Sequence, residues 1–294
     1  MGMDWKTDWG LRGRMAFTMF LLFALYVVFV GVLSLYFNNF LFPLVMLGGF
    51  AIAQFFFSDK LALRSMGARE VTAEEYPELH RTIERLCQQA DLPKPAVAVA
   101  DSRVPNAFAT GRNQKNATVA VTTELLRTLD QDELEGVLAH ELAHVKNRDV
   151  MVMTIASFLS TIAFFIVRWG WLFGGNNRQG GGAPVIVAIA VSIVVWIVSF
   201  LLIRALSRYR EYAADRGAAV ITGKPGALAS ALVSIDGRMD RVPQEDLRDG
   251  SSEMNAFFII PISAGFLSRI ASTHPQTEKR IDRLRDLERE META

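Results

Sequence analysis

Apolar residues in this chain fall into long uncharged blocks, and between the blocks they recur at every third or fourth position. Met15–Phe37, "MAFTMFLLFALYVVFVGVLSLYF", is uninterrupted by charge and long enough to cross a hydrocarbon core of about 30 Å as a helix. Phe40–Phe57 follows after Asn38 and Asn39 alone and reads as a return crossing. Val150–Val167 and Ala183–Ile203 make a second pair, joined by the glycine-rich loop "GGNNRQGGG". The pattern therefore predicts four transmembrane helices, over 15–37, 40–57, 150–167 and 183–203.

The intervening stretches carry shorter periods. In "YPELHRTIERLCQQADL", Leu79, Ile83, Leu86 and Cys87 share one side of a helix, and His80 reads as a solvated surface residue. "PAVAVADS" and "ATVAVTTELL" are short β-branched runs either side of "RVPNAFATGRNQKN", and they predict a small antiparallel β-sheet. Asp130, with Glu133 three residues on, is a helix-start pattern, and Leu134, Val137, Leu138, Leu142 and Val145 continue that helix. The tail, with Ile281, Leu284 and Leu287 on one side, reads as a final solvated helix. "AFFIIPISAGF", Ala256–Phe266, is too short to span and reads as core packing, the alternative being a surface that dips into the bilayer.

Charge then orients the spans. Lys6, Arg12 and Arg14 precede the first, Lys60, Arg64 and Arg69 follow the second, Lys146 and Arg148 precede the third, and Arg204, Arg208 and Arg210 follow the fourth. Positive residues gather on the cytoplasmic side, so both large polar pieces are expected in the cytosol. The divisions expected are a membrane hairpin at 1–57, a first cytosolic part at 58–149, a second hairpin at 150–203 and a second cytosolic part at 204–294. Thirty-one basic residues balance 31 acidic ones, which leaves no overall positive field to gather nucleic acid. The single cysteine, Cys87, cannot form an internal disulfide.

Two of the four histidines stand in "LAHELAHVKNRD", Leu138–Asp149. Residues four apart on a helix share a face, so His140 and His144 can turn both imidazoles to one metal ion while Glu141 flanks it. The bland alternative is a pair of surface histidines. Catalytic zinc takes three protein ligands and keeps a position open, whereas closed structural sites are thiolate-rich, and a chain with one cysteine favours the open type. After the fourth span, "RYREYAADRGAAVITG" again sets two carboxylates four apart. Glu211 there can supply the third ligand and Asp215 can receive an N–H from a ligand histidine, unless the two simply pair with nearby arginines on a surface. The second hairpin returns the chain to the membrane face from which it left, and this favours the metal.

"HELAH", "EYAAD" and the four spans together resemble the HtpX family of membrane metallopeptidases, relatives of the CAAX prenyl endopeptidases and gluzincin in ligand set. "NAFATG" at Asn106–Gly111, "MNAFFI" at Met254–Ile259 and "STHP" at Ser272–Pro275 extend the likeness over nearly the whole chain. The resemblance implies a mainly α integral membrane protein with a cytosolic zincin-like catalytic domain, placed in the inner (cytoplasmic) membrane. It implies one Zn2+ per chain and endopeptidase action on misfolded or damaged membrane proteins. Glu141 is then the general base, His274 a candidate to cap the metal or steady the intermediate, the alternative being a structural helix-start histidine, and Asn106, Ala107, Phe108 and Ala109 an edge strand to which substrate adds, the alternative being an ordinary buried strand. The rival expectation is a non-proteolytic membrane scaffold with a structural metal site.

Overall fold

The computed structural model describes residues 8–36, 45, 48, 49, 52, 56, 59–173, 183–239 and 275–293. Contacts divide the chain into two compact units. One gathers Met1–Asp8, Phe57–Met151 and Ser207–Ala294, and the other Trp9–Phe56 and Val152–Leu206.

In the first unit, the strands are β1 (Ala68–Glu70), β2 (Ala96–Ala100), β3 (Ala107–Thr110) and β4 (Thr118–Thr122), in the order β1-β2-β4-β3. β1 runs antiparallel to β2 and β3 antiparallel to β4, but β2 and β4 pair in parallel, Ala96 opposite Thr118 and Ala100 opposite Thr122. The sheet is thus mixed, where an antiparallel one was expected. The physical reason lies in burial. All five β4 residues are buried, so β4 takes the interior position beside β2, and the connection out of β2 carries β3 past it to the edge. Gly111 makes the turn out of β3 at φ 127°, a conformation that a side chain resists.

Helices cover the sheet. The predicted amphipathic helix is α2 (Pro77–Ala90), started by Pro77 and stopped at Asp91 in the left-handed conformation. It buries Leu79, Ile83, Leu86 and Cys87. His80 is half-buried rather than solvated, with Nε2 3.1 Å from the Val71 carbonyl. The short α3 (Thr123–Thr128) leads to α4 (Gln131–Asn147), which opens with a complete capping box of Asp130 and Glu133. α4 packs against α2, β3 and α7 (Pro225–Met239). Val137, Leu138 and Leu142 of α4 are fully buried among Ile83, Leu86, Leu228 and Leu232.

The last helix, α8 (Thr277–Glu292), is not merely solvated: it packs on α7 and buries Arg280 and Leu284. A wholly buried arginine needs a charged partner close by, and here the partner belongs to the site described below.

The second unit is built from α1 (Trp9–Tyr36), α5 (Asp149–Phe173) and α6 (Ala183–Thr222), whose residues beyond Leu206 belong to the first unit. Leu22, Tyr26, Phe29, Ala156, Ile162, Ala188 and Val195 form its core. Tyr26 donates to the Ala156 carbonyl at 2.7 Å, and Ser199 to Ser160 at 3.0 Å. The opposite faces expose Phe17, Phe20, Phe23, Ile193, Val194 and Ile197. Two described helices, over Trp9–Val32 and Ile186–Thr222, are long and apolar enough to cross a membrane; the apolar part of the second ends at Ile203, before Arg204. The third expected span falls within α5, where the apolar stretch over Asp149–Phe164 is shorter. Most of 40–57 and all of Ala256–Phe266 lie outside the described residues.

Candidate metal centre

The centre is assembled from three helices of the first unit. α4 brings His140, Glu141 and His144 on successive turns, α6 brings Glu211 and Asp215, and α8 brings Arg280. His140 Nε2 lies 3.1 Å from His144 Nε2 and 3.6 Å from Glu211 Oε2, while His144 Nε2 lies 3.5 Å from Glu211 Oε1. One atom from each of these three residues can be chosen so that all lie within 4.8 Å of one another. Zinc held tetrahedrally at about 2.0–2.1 Å keeps its ligand atoms about 3.3 Å apart. The observed separations sit around that value, so the donor set fits such an ion by both identity and spacing.

The outer nitrogens fix this arrangement. His140 Nδ1 is 3.0 Å from Asp215 Oδ1, and His144 Nδ1 is 2.6 Å from Asp149 Oδ2. Carboxylates in those places hold the Nδ1 protons, so the Nε2 atoms are the ones presented inward. Two inward lone pairs at 3.1 Å repel unless something positive lies between them. A proton on one ring or a metal ion between the two can fill that role. Burial pulls the His140 imidazole down, but hydrogen bonds to Asp215 and Glu211 outweigh it and hold it up at about 9, while burial drives His144 down to about 4. His140 can then donate to His144. A bound metal ion would take the place of this proton.

Glu141 is buried beside the cluster and is not one of its three converging ligand residues. Burial pushes its carboxyl up, against the pull of His140 and His144, and the Ala109 backbone N–H is a hydrogen-bond partner. Asp215 is buried too, which raises it, but the Arg280 charge and the contact with His140 more than compensate and hold it below the usual carboxylate range. Arg280 grips it through Nε at 2.9 Å and Nη2 at 2.6 Å.

β3 lies at the sheet edge against α4. Asn106 is wholly buried, its N–H donating to Thr122 Oγ1 and its carbonyl accepting from the Thr122 N–H, both at 2.9 Å. Phe108 packs with Ala98 and Ala120, and Ala107 is buried in the main core. What this edge can offer a ligand is therefore main chain. His274 lies outside the described residues.

Residues 73–288 match the model of peptidase family M48. The chain belongs to that family. A protein named Protease HtpX homolog 2 from Methanosarcina mazei is 58% identical over 296 residues, covering 99% of this chain and 100% of its own length. Protease HtpX homolog from Moorella thermoacetica is 52% identical over 295 residues, covering 97% of each. Protease HtpX homolog 1 from Streptomyces coelicolor is 49% identical over 294 residues. The crystal structure of S. mikatae Ste24p superposes with a TM-score of 0.55 at 19% identity, over 89% of this chain and 62% of that one, a likeness of fold. Membership of family M48 makes the chain a metallopeptidase, and the resemblance to HtpX read from "HELAH" and "EYAAD" is borne out.

Three side chains of this M48 peptidase's centre were not picked out by sequence reasoning: Asp149, Arg210 and Arg280. Asp149 stands five residues after His144, off the helical period, so no spacing rule selects it. Arg210 pairs with Asp149 and is a direct neighbour of Glu211. Arg280 does leave a trace, since it precedes Leu284 by one helical turn and so falls on the apolar side of the tail helix.

Proposed function

We propose that this chain is a zinc-dependent endopeptidase of the cytoplasmic membrane, acting on misfolded or damaged membrane proteins with its catalytic unit on the cytosolic side. The observation that carries the reading is the inward convergence of His140, His144 and Glu211 with Glu141 free of the cluster and next to a sheet edge. These three residues would hold the ion, which supplies the Lewis acidity that acidifies water and polarises a carbonyl. Asp215 keeps His140 in the tautomer that presents Nε2. Glu141 takes a proton from the attacking water and returns it to the departing amine, and its raised pKa suits it to both tasks. An extended segment of substrate adds main chain to main chain along β3, the mode a strand at a sheet edge offers. The Ala109 N–H ties the base to that edge, so the base and the peptide share one reference point.

The membrane placement draws on the apolar helices and their bulky outward side chains, an apolar exposure that a lipid environment accounts for. The cytosolic orientation draws on the lysine and arginine bias. Proteolysis is named in relatives that align over 100% and 97% of their own length. No observation favours the non-proteolytic scaffold. The test is metal analysis with casein-type digestion in detergent. One zinc per chain is expected, and Glu141→Gln should retain it while losing about 100-fold to 10,000-fold in cleavage rate. Wild-type cleavage by that variant would refute the assignment of the base.

A further inference from the structure

We propose that Asp149 is a positioning residue for the metal centre, held by Arg210, and that this pair sets the orientation of His144 as Asp215 and Arg280 set that of His140. The inference rests on the zinc-site reading above and extends it to residues outside the ligand set.

The centre contains two chains of the same construction. In one, His140 Nδ1 meets Asp215 Oδ1 at 3.0 Å and the carboxylate is gripped by buried Arg280. In the other, His144 Nδ1 meets Asp149 Oδ2 at 2.6 Å while Oδ1 pairs with buried Arg210. Both carboxylates are over nine-tenths buried. With both oxygens engaged, the Asp149 carboxylate cannot turn, and the imidazole bonded to it is held at one angle.

The backbone is shaped to allow this. In an unbroken α-helix, residue 149 would stand about 140° around the axis from residue 144 and could not reach its ring. Instead Arg148 takes the left-handed conformation, φ 56° and ψ 43°, as the C-cap of α4, donating its N–H back to the His144 and Val145 carbonyls. A non-glycine residue pays about 1 kcal/mol for that conformation. The break ends α4 and starts α5 at Asp149, with the carboxylate beside His144. A carboxylate at a first helical position also interacts favourably with the helix dipole, and this is the structural role against which the proposal must be tested.

The experiment uses the full-length protein in detergent and measures zinc affinity by competition with a chromophoric chelator, with the thermal midpoint of the metal-free protein in parallel. Asp149→Ala is expected to weaken zinc binding by about 10-fold to 100-fold. Asp149→Asn, isosteric and able to keep an acceptor oxygen on Nδ1, should fall between that variant and wild type. Lys224→Gln, which breaks an exposed pair with Asp132, should leave zinc affinity unchanged. If Asp149→Ala does not fold, Asp149→Asn alone decides, a loss of threefold or more supporting the proposal on the scale set for outer-sphere partners. Zinc affinity within about twofold of wild type in a folded Asp149 variant, with only the metal-free midpoint lowered, assigns Asp149 to helix capping and overturns the proposal. A wild-type protein that binds no zinc overturns instead the metal reading on which it rests.

Discussion

Replacing Arg280 by Met removes the guanidinium that grips Asp215 through two short hydrogen bonds, at 2.9 and 2.6 Å, in a place where Arg280 is 1% and Asp215 4% exposed. Removing one partner of a buried pair costs about 3–5 kcal/mol, because the other charge is left without compensation. At about 2–4 °C per kcal/mol for a unit of this size, the metal-free protein should melt roughly 6–20 °C lower. The loss should also depend on pH, with a definite sign. In the wild type, Asp215 is held below its ordinary range, so its contribution is complete above about pH 3.9 and is lost as pH falls through its lower folded value. In the variant, burial acts with only His140 to oppose it, the folded pKa rises, and protonation relieves the stranded charge. The gap between the two melting curves should therefore narrow as pH is lowered from 7 towards 4. Scanning fluorimetry in chelator across that range makes the measurement. A gap under about 1 kcal/mol, or one that stays constant with pH, would refute the account of Arg280 as the counter-ion of Asp215. The double variant Arg280→Met with Asp215→Leu should recover part of the loss, since an apolar pair strands no charge.

Two glycines give sharper steric expectations. Gly111→Ala puts a Cβ 2.2 Å from the Asn116 carbonyl oxygen at φ 127°, and strain of that kind costs about 1–3 kcal/mol, to be read as a lower thermal midpoint and a weakened β3 edge in hydrogen exchange. Gly136→Ala puts a Cβ 2.9 Å from the Leu228 backbone nitrogen where α4 meets α7. Overpacking there costs about 1–3 kcal/mol, offset by up to about 1 kcal/mol of helix propensity, so a small net destabilisation is expected. A more stable variant by chemical denaturation would show that the two helices can part.

What was legible in the sequence was what is local. The Asp130 and Glu133 capping box and the face of α2 follow from spacings within one element, and so does the shared face of His140 and His144. Glu211 was legible because its partner Asp215 repeats the four-residue interval. The sheet was misread because which strand sits beside which is a long-range matter: "AVAVA" and "TVAVT" look alike as hairpin arms, yet they pair in parallel with the "AFAT" strand on the far side of the second. Asp149 and Arg210 escaped because their meeting needs a helix break at Arg148, a residue that carries no turn signal. Arg280 escaped because an arginine on a charged helix reads as solvated until the chain that covers it is known.

The buried neighbourhood of the two imidazoles holds four carboxyl groups, Glu141, Asp149, Glu211 and Asp215, and two guanidinium groups, Arg210 and Arg280. With every carboxyl ionised and both rings neutral, it lacks the charge of one divalent cation. Protons can offset the same charge, and burial raises Glu141 while hydrogen bonds to Asp215 and Glu211 raise His140. Loading of a divalent cation would then be an exchange in which metal enters as hydrogen ions leave, and acidification would compete directly with it for the same interior.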